Sequence, residues 1–328
     1  MRIRSAAPSR SRRRIWLGIV VLLVVAAALA VAVISTRPTA SHPGAGQKLL
    51  VGAHTPAAAA AKATPSAAQR AAAYLAERPT AVWLVPEEHG VDSVASFIDG
   101  LVSEARGQGA AVTIVVYGLP GRDCGQYSAG GLDAADYVKW VRQIAVALQA
   151  APDVGKIVVL EPDSLALAPQ CGNVDERTTQ LRGAVDALAD SESWVYLDGG
   201  HSSWLPAQTM AELLQGVGMD GVRGFATNVS NYNDLGDEVD YAHEVANLLG
   251  GAHAVIDTSR SGAGSSGEWC NPSDRLIGEE GAAFGDDVVD LNLWIKPPGE
   301  SDGTCNGGPP AGQWWPQSAI ELTRDSIG

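Results

Sequence analysis

Short apolar runs alternate with amphipathic stretches along most of the chain. Seven runs are strand-like, and they cover residues 81–85, 114–118, 156–162, 194–199, 225–230, 254–259 and 291–297. Stretches with helical spacing separate most of them, such as Ala134–Ala150, where Val138, Val141, Ile144 and Leu148 recur every three or four residues. Because the strands are continuously apolar and helices alternate with them, the pattern predicts an α/β fold with a parallel sheet or barrel covered on both faces.

The segments around this alternation differ in composition. Residues 35–65 are rich in Ala, Pro, Thr, Gly and Ser, with five alanines at 57–61, which predicts a spacer without a core of its own. A helix is predicted over 67–77 and a last one over 318–327. Residues 259–291 are rich in Gly and Ser and lack a clear amphipathic helix, which predicts a functional loop over the sheet. We therefore expect one catalytic domain over residues 66–328.

The amino terminus has the pattern of an export segment. Residues 1–14 hold six arginines and no acid, and residues 15–34 form an apolar run of 20 residues, about 30 Å as a helix. This pattern places the arginines in the cytoplasm and exports the rest of the chain, so we expect an extracellular domain, secreted or anchored to the outer face of the cytoplasmic membrane. We favour an uncleaved anchor. A cleaved signal peptide is the alternative, and Ser11-Arg12-Arg13 also fits a twin-arginine signal.

The charge of the remaining chain limits its partners. Residues 41–328 carry 16 basic and 37 acidic groups, a net charge of −21. Such a surface repels nucleic acid and anionic lipid but accepts a neutral polymer such as a polysaccharide. We expect a monomer that contacts the membrane only through residues 15–34, if these are not cleaved.

The cysteines and histidines indicate disulfides and no metal. Four cysteines in an exported protein allow three pairings, and we favour Cys124–Cys171 and Cys270–Cys305, because each would link loops that flank candidate acids. The sequence has no C-x-x-C pair, and its six histidines form neither H-x-H nor H-E-x-x-H. We therefore expect no metal and no cofactor.

Acidic side chains follow five of the seven predicted strands. They are Asp123, Asp163, Asp198, Asp257 and Asp302. Parallel β/α folds gather their active sites at the carboxyl ends of the strands, where converging carboxylates raise the pKa of the least solvated one and leave another ionised. Cleavage of a glycosidic bond requires this pair, an acid for the leaving oxygen and a carboxylate for water. For Asp257 alone we favour capping or support over catalysis. A serine nucleophile is unsupported, because Ser164 lacks a glycine-flanked elbow.

Tryptophans accompany these acids. Trp83, Trp204 and Trp269 lie at strand ends or in the loops after them, and Trp204 comes six residues after Asp198. Sugar rings present flat C–H faces that pack on indole rings, so these positions are candidate platforms of a binding cleft.

Seven segments, in this order, resemble glycoside hydrolase family 6, a family of cellobiohydrolases and endoglucanases. They are VVYGLPGRDC (115–124), VLEPDSLA (159–166), VYLDGGHSSW (195–204), RGFATNVSNY (223–232), VIDTSR (255–260), EWCNP (268–272) and LWIKPPGESDGTC (293–305). The resemblance implies a distorted seven-stranded parallel β/α barrel and hydrolysis with inversion. It departs at Gly118, where the family commonly has an acid, and at Gly199-Gly200, where it has Ala-Gly.

The resemblance also implies roles for individual residues. Asp163 corresponds to the general acid, Asp123 with Arg122 keeps it protonated and helps to shuttle a proton, and Tyr117 presses on the distorted sugar. Asp302 is the candidate base. The implied substrate-binding residues are Trp83, Trp269, Lys296 and Glu300 on the non-reducing side, Trp204 on the leaving side, and Asp198, His201, Asn228 and Arg260 at the centre.

Loop lengths separate the two activities of the family. In cellobiohydrolases long loops within the cysteine-bridged segments roof the cleft, whereas here seven residues separate Asp163 from Cys171 and two separate Asp302 from Cys305. We therefore expect an open-cleft endoglucanase acting on β-1,4-glucan. A cellobiohydrolase is the alternative within the class, and a non-catalytic glucan-binding envelope protein is the alternative outside it.

Overall fold

A computed structural model describes Pro43, residues 48–125 and residues 130–327. In this part of the chain all strand pairs are parallel except β8 with β9, and the order is β1-β3-β4-β5-β6-β7-β9-β8, with β2 also paired to β3. The strands are β1 Lys48–Leu49, β2 Val82–Leu84, β3 Ala110–Val116, β4 Lys156–Leu160, β5 Trp194–Asp198, β6 Gly224–Thr227, β7 His253–Asp257, β8 Ala282–Ala283 and β9 Val289–Leu293.

The sheet curls into a nearly closed barrel. Seven parallel strands, β2 to β7 and β9, form its wall, and β2 lies near β9 at the seam. There the amide of Ala81 donates to the carbonyl of Trp294 at 2.8 Å, and the indole N–H of Trp83 donates to the carbonyl of Ile295 at 2.8 Å. The predicted seven-stranded, distorted β/α barrel is confirmed, and each of the seven predicted strands is present.

Helices follow most of the strands and cover the outside of the barrel. They are α1 Pro56–Ala60, α2 Ala67–Ala76, α3 Val94–Gln108, α4 Ala134–Gln149, α5 Ser164–Cys171, α6 Val174–Leu188, α7 Ala207–Val217, α8 Leu235–Leu248 and α9 Pro316–Leu322. The last helix is shorter than predicted. Residues 259–291 form an extended loop without a helix, as expected, but their last part adds the short antiparallel strand β8.

The continuous hydrophobicity of the strands reflects two separate cores. On β3 and β4, Ile114 and Val158 face the helices, whereas Val115 and Val159 point into the barrel. Val115, Val159 and Tyr196 occupy one register row across β3, β4 and β5 and fill the barrel interior. Since alternate side chains of a strand point to opposite faces, both sets must be apolar, and the strands show no polar alternation.

Part of the predicted spacer over residues 35–65 belongs to the folded domain, which corrects that boundary. Leu50 is buried, and its amide donates to Ala111 O at 2.8 Å beyond the end of β1. The alanine run forms helix α1, because the Thr55 side chain caps it by accepting from Ala58 N at 3.1 Å and Pro56 occupies its first turn. Ala57 then packs into a small cluster with helices α2 and α9.

The predicted export segment, residues 15–34, lies outside the described residues. Within the described part, no helix is both long and apolar enough to cross a bilayer.

Two disulfides have the pairing favoured from the sequence. Cys124–Cys171 links the loop after β3 to the end of α5, and Cys270–Cys305 links the loop after β7 to the loop after β9. Each bridge therefore joins segments next to candidate acids.

Serine substitution of both cysteines of either bridge is expected to lower the free energy of unfolding by about 3–4 kcal/mol in the chain-entropy model. The physical reason is the length of chain that each bridge closes, with sequence separations of 47 and 35 residues. Urea unfolding in non-reducing buffer measures the effect. Unchanged midpoints in both variants would contradict it.

Candidate active site

The loops that carry the candidate acids turn sharply at the carboxyl ends of the strands. Asp123, Glu161 and Asp163 all have left-handed backbone, with φ of 54°, 53° and 67°. Such a conformation costs a non-glycine residue on the order of 1 kcal/mol and persists only where the surroundings hold it. Here the loops are held by the Cys124–Cys171 bridge and by backbone hydrogen bonds, so the acids have fixed directions.

Asp163 directly precedes helix α5 and faces other carboxylates. Burial raises the pKa of Asp163 well above its usual range, and the charges of Asp198, Asp123 and Asp302 raise it further. Its side chain makes no capping bond to helix α5. The geometry therefore favours a neutral, protonated Asp163 that is available to donate.

Asp198, at the end of β5, supports the backbone of Asp163. Its Oδ2 accepts from the backbone amides of Asp163 at 3.0 Å and Gly200 at 3.1 Å. Burial raises the pKa of Asp198 to about 7 in spite of these two bonds. Asp198 therefore fixes the backbone that carries Asp163, and its side chain is buried.

Asp123 is bound to Tyr117, whose hydroxyl donates to Asp123 Oδ2 at 2.5 Å. Burial, followed by the charges of Asp123 and Asp163, raises the pKa of Tyr117 well above its usual range. Arg122 lies 4.4 Å above the Tyr117 ring, donates to the Tyr117 carbonyl at 2.6 Å and pairs with Glu87 at 2.9 Å. The four side chains form one connected unit beside Asp163, in which Tyr117 stays neutral.

Asp302 accepts hydrogen bonds from three other residues. Arg260 Nη1 donates to both oxygens of Asp302, at 2.8 and 2.9 Å. The hydroxyl of Tyr232 donates to Asp302 Oδ2 at 2.7 Å, and the backbone amide of Asn271 donates to the same oxygen at 3.1 Å. Burial opposes ionisation of Asp302, but the charges of Arg260 and Lys296 outweigh it, and the pKa of Asp302 is lowered. Asp302 is thus a permanent carboxylate whose lone pairs are largely occupied, which makes it a weak direct base.

The predicted tryptophans lie around these acids with different exposure. The Trp83 ring stands edge-on to Tyr117 with centroids 5.3 Å apart, and Lys296 Nζ lies 5.8 Å from its centroid and 3.7 Å from Glu300 Oε2. Trp269 is 53% exposed. The contacts of Lys296 with both Trp83 and Glu300 join these three residues into one group, which combines an apolar ring face with ionisable side chains.

His201 and Trp204 form a second group, with ring centroids 5.4 Å apart. The side-chain amide of Asn233 donates to His201 Nδ1 at 2.9 Å. Burial lowers the pKa of His201 to about 4, so the ring is neutral, and its proton resides on Nε2 because Nδ1 accepts.

Three of the four residues predicted to line the centre of the cleft are buried, namely Asp198, Asn228 and Arg260. Asn228 is fully buried, and its amide donates to Asp257 O at 2.9 Å and accepts from Asn233 N at 3.2 Å. Arg260 is 2% exposed and holds Asp302. In this structure Asn228 binds loop backbone and Arg260 binds the Asp302 carboxylate.

Asp257 has the supporting role that the sequence favoured for it. Its two oxygens accept four backbone amides from three loops, those of Ser230, Ser259, Ile295 and Lys296, at 2.9 to 3.2 Å. The carboxylate therefore joins the loops after β6, β7 and β9.

Three important residues were missed in the sequence. Tyr232 and Asn271 bind Asp302, and Glu161 holds the loop that begins with Tyr117. All three lie within the seven segments that resemble the family, so their place in these segments was the available signal. Within the described part, no three His, Cys, Asp or Glu side chains are grouped closely enough to hold a metal ion.

Glu161 is buried beneath the loop that carries Asp123. Its carboxylate accepts from the amides of Gly118 at 3.0 Å and Leu119 at 3.1 Å, and burial raises its pKa to about 7. Gly118 has no space for a side chain, because a Cβ there would lie 2.6 Å from Trp140 Cζ3. The indole of Trp140 therefore explains why this chain has glycine at position 118, where the family commonly has an acid.

Buried acids with raised pKa values predict that stability falls as the pH rises. Glu161 and Glu300 have folded-state pKa values of about 7, against 4.5 when unfolded. Between these values the folded chain binds protons that the unfolded chain has lost, so their contribution is complete below about pH 4.5 and lost on approach to pH 7. The slope is at most about 1.4 kcal/mol per pH unit for each group.

The measurement is urea unfolding at pH 4.5, 5.5, 6.5 and 7.5. Glu161→Gln keeps an acceptor oxygen and is expected to reduce the slope, whereas the surface variant Glu244→Gln serves as the control. An identical slope in Glu161→Gln and the unmodified protein would refute the assignment.

Comparison with known proteins gives the family. The model described as Glycosyl hydrolases family 6 matches residues 46–326. Endoglucanase A of Cellulomonas fimi is 41% identical over 256 residues, which cover 77% of this chain and 55% of that protein. Endoglucanase 1 of Streptomyces halstedii is 37% identical over 278 residues, which cover 80% of this chain and 84% of that protein. This chain thus spans little more than half of the Cellulomonas fimi relative.

A solved structure has the same fold and a bound ligand. The endoglucanase Cel6 from Mycobacterium tuberculosis, in complex with methyl-cellobiosyl-4-deoxy-4-thio-beta-D-cellobioside, aligns with a TM-score of 0.80 and 36% identity. The alignment covers 87% of this chain and 99% of that one. With the family match over residues 46–326 and relatives of 37–41% identity, these findings show that the chain belongs to glycosyl hydrolase family 6.

Proposed function

We propose that this chain hydrolyses internal β-1,4-glucosidic bonds of cellulose or a related β-glucan, with inversion at the anomeric carbon. The observation that carries the proposal is the pair of opposite protonation states: the pKa of Asp163 is raised by burial and by neighbouring carboxylates, and that of Asp302 is lowered by Arg260 and Lys296. A glycosidic bond breaks between such groups, because one supplies a proton and the other a negative charge. A protein that only binds glucan has no need of a protonated Asp163.

In the proposed mechanism Asp163 protonates the departing glycosidic oxygen. Asp123 raises the pKa of Asp163 through its charge and helps to shuttle a proton, and Arg122 fixes the ring of Tyr117 next to the sugar. Water attacks the opposite face of the anomeric carbon. Four hydrogen bonds occupy the lone pairs of Asp302, so we propose that it receives the proton of the attacking water indirectly, through an intervening water molecule. Its negative charge also stabilises the positive charge that develops on the sugar.

The substrate chain would lie across the aromatic platforms. Trp83 and Trp269 form the platforms on the non-reducing side, where Lys296 and Glu300 bind hydroxyls, and Trp204 forms the platform on the leaving side. His201 would contribute its Nε2 proton as a donor, since Nδ1 already accepts from Asn233. Indole faces and single hydrogen-bond donors suit a neutral sugar chain.

Three observations support internal cleavage over release of cellobiose. The loops between the acids and the cysteines are short, and Trp269 is 53% exposed, whereas a platform inside a roofed tunnel would be covered. The Cellulomonas, Streptomyces and Mycobacterium relatives are also named endoglucanases. A cellobiohydrolase is the second candidate of the same class.

The experiment is a product profile on cellopentaose and soluble β-1,4-glucan. An endoglucanase lowers the viscosity of carboxymethylcellulose at low release of reducing ends and gives mixed oligosaccharides, and inversion gives the α-anomer first in the ¹H NMR spectrum. Cellobiose as the main early product would assign the cellobiohydrolase instead. Absence of turnover on all β-glucans would reject the proposed function.

We also propose that the domain acts outside the cell, where two disulfides are stable, as a monomer held to the membrane by residues 15–34. If the segment is retained, the full-length protein sediments with membranes and resists extraction by salt. An amino terminus between Ser35 and Ala45 in the medium would show cleavage instead.

A further inference from the structure

A second cavity lies next to the carboxylate Asp302 but outside the group of catalytic acids and platform tryptophans. Its volume is about 380 Å³, within the ~300–1,000 Å³ range of small-molecule sites. Its walls come from the loop after β6, the loop after β7, the loop after β9 and helix α9. The lining residues include Trp315, Ser318, Glu268, Arg275, Asn306 and Glu321.

Tyr232 and Asn271 separate this cavity from the acids. Both residues line the cavity, and both donate hydrogen bonds to Asp302. None of the residues predicted for catalysis or substrate binding lines it. A molecule bound here would therefore lie behind Asp302, outside the proposed cleft.

The polar groups of the cavity wall are already fixed. Arg275 donates through Nε to Ser273 O at 3.0 Å and through Nη1 to Ala263 O at 3.4 Å, and Asn306 donates to Cys270 O at 3.0 Å. The carboxylate of Glu321 accepts from the amide of Asp274. Such side chains lose little further conformational entropy when they bind a ligand.

The composition of the wall selects the class of ligand. Two carboxylates, Glu268 and Glu321, outnumber the one guanidinium of Arg275, which disfavours phosphates and other anions. The half-buried Trp315 supplies a flat apolar face, and the surrounding donors and acceptors suit hydroxyl groups. A neutral, polyhydroxylated molecule satisfies all of these conditions.

We propose that this cavity is an auxiliary binding site for a β-glucan chain, separate from the cleft, with Trp315 as its platform. The choice of β-glucan rests on the proposed function. A second point of attachment raises the effective concentration of a long chain near the cleft and does nothing for a short oligosaccharide that the cleft alone can hold.

The test compares polymer and oligosaccharide substrates in two variants. Trp315→Ala removes the platform, and Ser318→Phe fills the cavity from helix α9 while the platform itself stays in place. Both are expected to raise KM for amorphous cellulose about threefold to tenfold, the effect of one aromatic contact, and to leave kcat/KM for cellotetraose within about twofold. Gln317→Phe, at the exposed neighbouring position outside the cavity, is the matched control.

Titration of cellotetraose into Asp163→Asn protein counts the sites directly. Two sites are expected, and one in the double variant with Ser318→Phe. Unchanged KM values for the polymer in both variants would overturn the proposal, as would an equal loss on polymer and cellotetraose, which would mean that the cavity acts on Asp302 through Tyr232. Failure of the proposed function is recognised separately, because the unmodified protein would then degrade neither substrate.

Discussion

Asp163→Asn is expected to lower kcat on soluble β-1,4-glucan by about 10²–10⁴-fold while leaving substrate binding nearly intact. The amide has the shape of the carboxyl group and still forms hydrogen bonds, but it supplies no proton to the departing oxygen. The backbone of Asp163 is held by Asp198, so the substitution leaves the loop in place. Initial rates on cellopentaose and binding of the same sugar by calorimetry measure the two quantities.

An aryl glucoside provides the internal control. Its phenolate leaves without protonation, so the loss in Asp163→Asn should be much smaller than on cellopentaose. Asp123→Asn should move the basic limb of the pH profile to lower pH, because removal of a negative charge lowers the pKa of Asp163 and the acid is then lost earlier. Full activity of Asp163→Asn on cellopentaose would exclude it as the general acid.

Arg260→Ala is expected to lower the free energy of unfolding by about 3–5 kcal/mol and to reduce turnover. The substitution leaves the Asp302 carboxylate, whose side chain is 6% exposed, without the guanidinium that donates to both of its oxygens. An uncompensated buried charge is strongly destabilising. The pKa of Asp302 should rise at the same time, since the charge of Arg260 is the leading contribution that lowers it. The acidic limb of the pH profile then moves to higher pH.

Arg106→Ala is the matched control. Arg106 also donates two hydrogen bonds to an aspartate, from Nε and Nη2 to Asp153 at 2.5 and 2.8 Å, but this pair is about half exposed on the surface. Water replaces the lost partner there, so the change in unfolding free energy should be much smaller. Equal effects of the two substitutions in urea unfolding would show that Arg260 does not hold a buried charge at Asp302.

The acid cluster could be predicted because strand ends converge wherever parallel strands form a barrel. Asp163, Asp198 and Asp302 needed only that rule and the apolar runs before them. The roles of Asn228 and Arg260 could not be predicted in the same way. Whether a side chain after a strand faces the cleft or the backbone depends on the dihedral angles of the loop, such as the φ of 61° at Asn228. The spacing of residues in the sequence does not determine these angles.

The prediction of a spacer over the whole of residues 35–65 was wrong for a related reason. Alanine-rich composition is shared by flexible linkers and by short helices, and only tertiary contacts distinguish them. Ala57 packs with helices α2 and α9. Because α9 lies at the far end of the sequence, the composition of residues 35–65 alone could not reveal this contact. Glu161 was missed because a buried acid that binds backbone amides resembles, in sequence, any other acid at a strand end.

The contact between Gly118 and Trp140 restricts how this barrel can be recombined with its relatives. An aspartate imported at 118 would place its Cβ 2.6 Å from the indole, so it is tolerated only when the residue on helix α4 is exchanged in the same step. A chimera with a crossover between the loop after β3 and helix α4 should therefore fold poorly, although either parent folds well. In library design, residues 118–140 form a single exchangeable block.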